Sequence, residues 1–572
     1  MRVRNLRCAA LLSACWLAAA GGGAERNNAY FGDLHIHSRY SYDAFFFGTK
    51  GSPDDAYEFA KGGPLTVPSG EVIRLDRPLD FYAVTDHYFF LGQWWASAND
   101  PNHPYKHDAA VQEIIKTRNF RGAFLFPHDR VLEADIKTAW QDIQGAAARH
   151  NDPGTFTTFV GFEFTPEKNM DGQHRVVIFE GDRVPELLIG RIETLNPEDL
   201  WDWQDKHRAD GIESLAIPHN TNLSGGRMFE NTYFDGSPID AAYAERRMRN
   251  EPLVEITQMK GTSDTHPFLS PNDEWADFEI RPFKLGPRAR SNPSGSYVRD
   301  ALRRGITLAE QLGINPYRYG IVGASDTHAA GQTYTEENFT VQQGGRVAAQ
   351  RLGSVPVDEA GVGYRETSSR YHSAAGLTGV WAAENSRKAI YAALRRRETF
   401  GTTGPRIKVR LAGGFDEMVP QGHEVEASGK GQPRFEAWAL ADPAGAKLQR
   451  LQVIKGWVED GDTHERVLDV ACSDGLKVDA RTQRCPDNGA SVDTTTCKFD
   501  QGIGDGQLKA AWMDADYTPG QRAFYYVRAL ENPTCRWSTW DAIRAGTSPR
   551  PDLPLTIQER AWTSPIWVTP SG

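Results

Sequence analysis

Nine side chains of metal-ligating type lie beside short apolar runs in the first 330 residues of the chain: six histidines and three carboxylates. The first pair is in Asp33-Leu34-His35-Ile36-His37-Ser38, followed by Asp43. In an extended strand alternate side chains share a face, so His35 and His37 project together and can hold one cation. The pattern recurs with Asp86-His87 after LDFYAVT, Glu163 after TTFVGF, His174 before RVVIF, His219 after SLAIP, and Asp326-x-His328 after YGIVGAS. One histidine beside a strand is ordinarily a satisfied core or surface residue. Six of them accompanied by carboxylates point instead to a site for divalent cations, and so imidazole-rich a set favours transition metals over magnesium or calcium.

Such residues must be delivered to one place by the elements between them. From Tyr30 to about Val409 apolar strand-like runs alternate with helical patterns, the clearest over Glu133 to His150, Ser296 to Gly313 and Ser386 to Glu398. Strands alternating with helices imply parallel sheet. Ligands gathered at the ends of successive strands are what a (β/α) barrel offers. Three long insertions, 45–77, 88–132 and 220–318, follow ligand-bearing strands and are expected to fold over the mouth as a lid. Trp94, Trp95, His103, Tyr105 and His107 in the second could line a pocket or form a small aromatic core of their own.

After Gly404-Pro405-Arg406 the character changes to β-branched and alternating runs such as IKVRLAG, RFEAWALA and RAFYYVRALEN, separated by Gly, Pro and Asp. These predict a β-sandwich-like C-terminal domain over 410–572, following a metal-binding unit over 29–409. The start of the chain reads as a signal peptide over 1–24: Arg2, Arg4 and Arg7 precede the apolar stretch Cys8 to Ala20, too short to cross a bilayer as a helix. Export to the periplasm is the expectation. A lipid anchor at Cys15, within Leu12-Ser13-Ala14-Cys15, or full secretion are the alternatives. Past that segment the cysteines are Cys472, Cys485, Cys497 and Cys535. An even number without paired CxxC spacing reads as two disulfides rather than a zinc site, with the connectivity open.

The net charge of −11 and pI of about 5.8 carry no electrostatic footprint for nucleic acid or an anionic membrane. A small, anionic substrate is the expected partner, drawn in by bound cations. No Gly-x-Ser-x-Gly elbow, Walker A sequence or Gly-x-Gly-x-x-Gly after a strand is present, so a nucleophilic serine and nucleotide cofactors are not indicated.

In order and strand context, Asp33-Leu34-His35-Ile36-His37-Ser38, Asp43, Thr85-Asp86-His87, Glu163, His174, His219 and Asp326-x-His328 resemble the motif set of the PHP (polymerase and histidinol phosphatase) superfamily. The stretches IPHNTNLSGG, LVEITQMKGTSDTHPFLSPNDEWADFE and ENPTCRWST further resemble a large bacterial family, usually exported, of unknown function. The first likeness covers roughly 30–405 and the second nearly everything after the signal segment. The PHP resemblance implies an α/β fold, a distorted (β/α)7 barrel with long lid insertions, holding two or three zinc, manganese or iron ions. It implies that His35, His37, Glu163 and Asp326 hold one metal and that Asp43, His87 and His328 lie around the others. Glu163 would bridge two ions, with His174 and His219 completing the cluster. Some relatives carry histidine where Asp43 stands.

The implied activity is that of an exported metal-dependent hydrolase, a phosphoesterase using a metal-bridging hydroxide, with Glu163, Asp326 and His328 its expected catalytic residues. A metal-dependent hydrolase of a carbon ester, amide or lactone is the alternative on the same scaffold, and a non-catalytic metal-containing binding protein is another. Arg227, Lys260, His266 and Arg299 are the candidate substrate contacts. Ser-Asp-Thr-His occurs twice, at Ser263 to His266 and Ser325 to His328. The second directly follows an apolar run and is expected to carry the ligands, whereas the first, followed by Pro267, suits a loop.

Overall fold

A computed structural model describes residues 27–169, 171–285, 289–339, 352–357, 363–427 and 431–571. The expected signal peptide and Cys15 lie outside the described residues. The fold is mixed α/β, with a 13-stranded central sheet and several smaller sheets.

Three strands begin as expected. β1 (Asn28–Ile36), β2 (Phe81–Val84) and β3 (Thr157–Phe164) are parallel neighbours. The parallel expectation fails at β4 (Arg175–Phe179), which is antiparallel to β3, and at β5 (Ser214–Pro218), antiparallel to β4. The reason is chain length: only residues 165–174 join β3 to β4, too few for a helical crossover. The reversal explains why His174 precedes its strand while the other ligands lie at or beyond the ends of theirs. The start of a reversed strand lies at the same edge of the sheet as the ends of its neighbours.

Residues 220–318 also depart from expectation, for they are more than a lid. They supply β6 (Leu253–Gln258), parallel to β7 (Gly320–Gly323), and the helix Val298–Leu312. Beyond β7 the chain reaches β1, where Thr327 bridges Ile36 in parallel and the His37 N–H donates to the Thr327 carbonyl at 2.9 Å. β8 (Leu377–Ala382) is antiparallel to β1, and β9 (Thr399–Thr402) to β8.

The three expected helices form. Glu133–His150 buries Ile136, Ala139, Trp140, Ile143, Ala146 and Ala147, the three- and four-residue spacing of one helix face. Val298–Leu312 stops at Gly313, whose φ of 75° is the left-handed cap that favours glycine, and Arg387–Arg396 is capped by Ser386. In the second insertion three short helices, Gln93–Asn99, Ala109–Lys116 and Phe120–Phe124, close over Phe45, Phe46, Phe89, Phe90, Trp94 and Phe126. Of the two readings left open there, the structure has the small aromatic core: Trp94 lies inside it, Trp95 and Tyr105 pack on its edge, and His103 pairs with Asp135 at 2.9 Å while His107 is exposed.

The C-terminal strands are hydrogen-bonded into the central sheet, because β9 pairs with Arg560–Thr563. A separate four-stranded sheet, built from Lys408–Gly414, Met418–Pro420, Arg434–Leu440 and Gln507–Met513, packs on that region. Val409, Leu411 and Phe435 meet Tyr525, Val527 and Ile566 in the shared core. Cys472 is bonded to Cys485 and Cys497 to Cys535. Among the described residues no helix is long and apolar enough to cross a membrane.

Candidate metal centre

All nine side chains singled out by spacing converge at one edge of the strands, each buried. Three overlapping groups offer ligand atoms within 4.8 Å of one another: His37, Asp43, His87 and His328; His35, Glu163 and His219; and His35, His37 and Asp326. His174 joins the second group through its Nδ1, 2.8 Å from Glu163 Oε1.

Local chemistry sets the orientation of each ring. After His37 the chain turns about Asp86, which accepts from the Ser38 N–H and hydroxyl, both at 2.6 Å, and from the Ser41 N–H and hydroxyl at 3.1 and 2.8 Å. With its own proton committed to Asp86, the Ser41 hydroxyl accepts from His37 Nδ1 at 2.8 Å. In the neutral ring that leaves a lone pair on His37 Nε2, which lies 3.2 Å from Glu163 Oε2 and 3.3 Å from Asp326 Oδ1. Three acceptor atoms converging in a buried space are stable around a cation and repulsive without one.

The other rings follow the same logic. His35 Nδ1 donates to Glu255 at 3.1 Å, which frees Nε2 to face Glu163 and Asp326. His328 Nδ1 donates to the Asp326 carbonyl at 3.0 Å and turns Nε2 to Asp43 at 2.8 Å. His87 uses Nδ1 on Thr165 at 2.7 Å and Nε2 on Asp43 at 3.1 Å. His174 Nε2 and His219 Nδ1 are buried without a hydrogen-bond partner.

Asp326 has a φ of 55° and Asn220 one of 53°, left-handed conformations that cost little for Asp and Asn and mark both turns as held by their surroundings. The Asn220 and Gln258 side-chain amides donate to Asp326 Oδ2 at 3.2 and 2.7 Å, and Lys260 Nζ pairs with the same oxygen. Oδ1 is thereby left for the cluster.

The electrostatics fit an ion site. Burial opposes ionisation of Glu163, Asp43 and Asp326, yet the surrounding imidazoles, with Lys260 at Asp326, hold all three well below the usual carboxylate range. Burial pushes His219 down to about 3 and His328 to about 4. For His87 burial is outweighed by Glu163 and Asp43, which lift it to about 9. In the absence of a metal, protons take up charge that cations would otherwise balance.

The four candidate substrate contacts separate. Lys260 reaches the cluster through Asp326. Arg227 is not brought there and pairs with Asp171 and Glu230 at 2.9 and 3.0 Å. Arg299 is fully buried on Asp273, Asp264 and the Tyr526 hydroxyl, tying its helix to a C-terminal strand. His266 is half-buried beside Tyr297, their ring centroids 5.5 Å apart. Of the two Ser-Asp-Thr-His copies, the one ending at His328 lies in the cluster, while Asp264 of the other accepts from Arg299, Tyr526 and Trp562.

Spacing missed Glu255, whose only sequence signal was a carboxylate in the middle of the apolar run LVEIT. Gln258 was also missed, and no local pattern marks it.

No curated protein matches the chain. Among solved structures, a two-domain protein from Bacteroides vulgatus, described as containing a predicted PHP-like metal-dependent phosphoesterase, is similar at 10% identity with a TM-score of 0.31. That likeness spans 88% of this chain and 91% of the other, and at such a score it carries no inference. The family described as "Protein of unknown function (DUF3604)" matches over residues 24–570, nearly the full length, and the chain belongs to that family.

Proposed function

We propose that the protein is a metal-dependent hydrolase acting on phosphoric esters, with two or three divalent transition-metal ions in the buried cluster. The observation that carries the reading is the convergence of His37 Nε2 on Glu163 Oε2 and Asp326 Oδ1, at 3.2 and 3.3 Å, in a fully buried space. His35, His37, Glu163 and Asp326 are assigned to one ion, and Asp43, His87 and His328 to a second. His174 and His219 are placed on the far side of Glu163. Bound ions would supply an activated water near neutral pH and neutralise charge on a phosphoryl group. The protein's own part is to fix the rings: Glu255, Thr165, Ser41 and the Asp326 carbonyl each engage a ring nitrogen and leave the opposite one for a ligand role.

The reading includes the scaffold. Closure of β1 to β7 into a distorted seven-stranded barrel is supported by the Ile36–Thr327 bridge at one seam and by the contact of β5 with β6 at the other. The assignment of 29–409 to a catalytic unit and 410–572 to a β-rich one, and export through the segment 1–24, belong to the same proposal. Two disulfides support an oxidising compartment.

The test is elemental analysis of purified protein combined with a panel of phosphomonoesters, phosphodiesters and carboxylic esters. Transition metal near two or three equivalents, and turnover of a phosphoester abolished by a chelator and restored by metal, is the expected result. Chelator-insensitive turnover, or turnover confined to carboxylic esters, would overturn the proposal.

A further inference from the structure

Within the field of Asp326 of the metal cluster lies a buried cation that no carboxylate among the described residues pairs with. Arg281 is 7% exposed, and no carboxylate is within ion-pairing distance among the described residues. Its Nη1 faces His372 Nε2 at 3.4 Å, and its Nε has no hydrogen-bond partner. The carboxylates nearby are committed elsewhere. Glu279 takes both its oxygens to Arg536 at 2.8 Å. Asp326 Oδ2 is held by Lys260, Gln258 and Asn220. Glu336 accepts from the backbone N–H groups of Ala374 and Trp537 at 3.1 and 2.6 Å.

His372 repeats the shortage. Burial, with Arg281, Lys260 and Arg536 close by, pushes its imidazole well down, so the ring is neutral. If Nε2 accepts from Arg281, Nδ1 carries the proton, and that buried nitrogen has no partner either. The two groups therefore present unmet donors side by side. Asp326, a member of the metal cluster, is the carboxylate whose field reaches both. A backbone bond from the Ser373 N–H to the Met259 carbonyl, at 2.9 Å, ties the His372 segment to the loop that carries Lys260.

Burying a guanidinium without a counter-charge is strongly unfavourable, and proteins ordinarily offset it with a fixed carboxylate or a ligand. Here the described residues supply no fixed carboxylate. We infer that Arg281 and His372, with Lys260 alongside, form an oxyanion-binding subsite that takes a phosphoryl group of the substrate next to the metal cluster. The inference rests on the phosphoester reading above for the identity of the anion. Planar guanidinium donors suit phosphoryl oxygens in a way a point charge does not.

The test is calorimetric titration of the metal-loaded protein with inorganic phosphate at constant ionic strength, with metal content measured on each sample. Arg281→Met should weaken phosphate binding roughly tenfold to 100-fold with metal content unchanged. Arg281→Lys keeps the charge but loses the fork, and should fall between the two; it also serves if the Met variant does not fold. Arg246→Met, which removes an equal charge from an outer pair with Asp202, should leave binding as it was. Unchanged phosphate affinity in Arg281→Met, or in Arg281→Lys should that variant alone fold, rejects the subsite. Equal weakening in Arg246→Met would reject it too, because net charge would then suffice. Since the readout is binding, a protein that hydrolyses no phosphoester yet shows the Arg281 effect would refute the enzyme and keep the subsite. A chelator-sensitive phosphoesterase without the effect would do the reverse.

Discussion

Glu163→Gln is the perturbation that bears most directly on the metal centre. The two carboxylate oxygens of Glu163 face five imidazoles. Oε1 is 2.8 Å from His174 Nδ1 and 3.2 Å from His219 Nε2, while Oε2 is 3.2 Å from His37 Nε2 and 3.3 Å from His35 Nε2 and His87 Nδ1. Glutamine keeps the shape, removes a full negative charge, and turns one of those oxygens into an NH2 that cannot ligate. Losing an outer partner of a metal ligand typically costs 10- to 100-fold in affinity. Glu163 is itself in one ligand group and touches members of the other two, so the loss should be larger, roughly 1000-fold or about 4 kcal/mol. Metal content after exhaustive dialysis should fall by at least one equivalent, and turnover should drop to background. Circular dichroism should show the fold retained, because the carboxylate contacts imidazoles and the Thr165 hydroxyl rather than the apolar core. The metal-free protein offers an independent check. The titration of His87, lifted to about 9 against burial by Glu163 and Asp43, should move down in the variant, as followed by NMR of the ring protons. Full metal content with turnover within twofold of wild type would refute the reasoning, and Glu163 would then be an ordinary strand residue.

Three further outcomes are expected. His328→Ala should lose metal-dependent turnover, whereas His266→Ala, half-buried beside Tyr297 and outside the three ligand groups, should retain its metal; metal analysis of the pair decides, and the opposite pattern would reverse the assignment of the two Ser-Asp-Thr-His copies. Glu255→Gln should lower metal affinity about 10- to 100-fold through looser orientation of His35, read by competition with a chromogenic chelator, and an unchanged affinity would remove Glu255 from the site. Asp273, against burial, is held far below its ordinary value of 3.8 by Arg528 and Arg299. Because the folded value is depressed, its stabilisation is complete above about 3.8 and is lost as pH falls toward the folded value. Asp273→Asn should therefore cost about 3–5 kcal/mol at pH 7 in denaturant melts and flatten the fall in stability between pH 5 and pH 2. An unaltered acid limb would show that the Asp273 pairing contributes nothing to folding.

The features legible from residue order alone are those set by interactions local in the chain. The alternation of side chains along a strand brings His35 and His37 to one face, and the apolar spacing in 133–150 marks the helix that forms there. The run before Ser325 separates the two Ser-Asp-Thr-His copies because a residue directly after a strand emerges at its end, whereas one several residues later does not. Four cysteines without CxxC spacing indicated disulfides, although not their partners. The rest depends on partners that are far apart in the chain and meet only in the folded protein. Glu255 orients His35 across 220 residues. β4 runs backwards because its connection is too short for a crossover, and that reversal brings His174 to the other ligands. Strands as late as Ala523–Glu531 and Arg560–Thr563 share a sheet with β9, which no local composition could foretell. The contrast between Arg299 and Arg281 is the sharpest case. As letters in a sequence both are arginines in one segment between His219 and Asp326. In space Arg299 meets Asp264 and Asp273, while the carboxylates around Arg281 are already taken. Whether a buried charge is structural or available to a ligand depends on which opposite charges the fold leaves within a few ångströms.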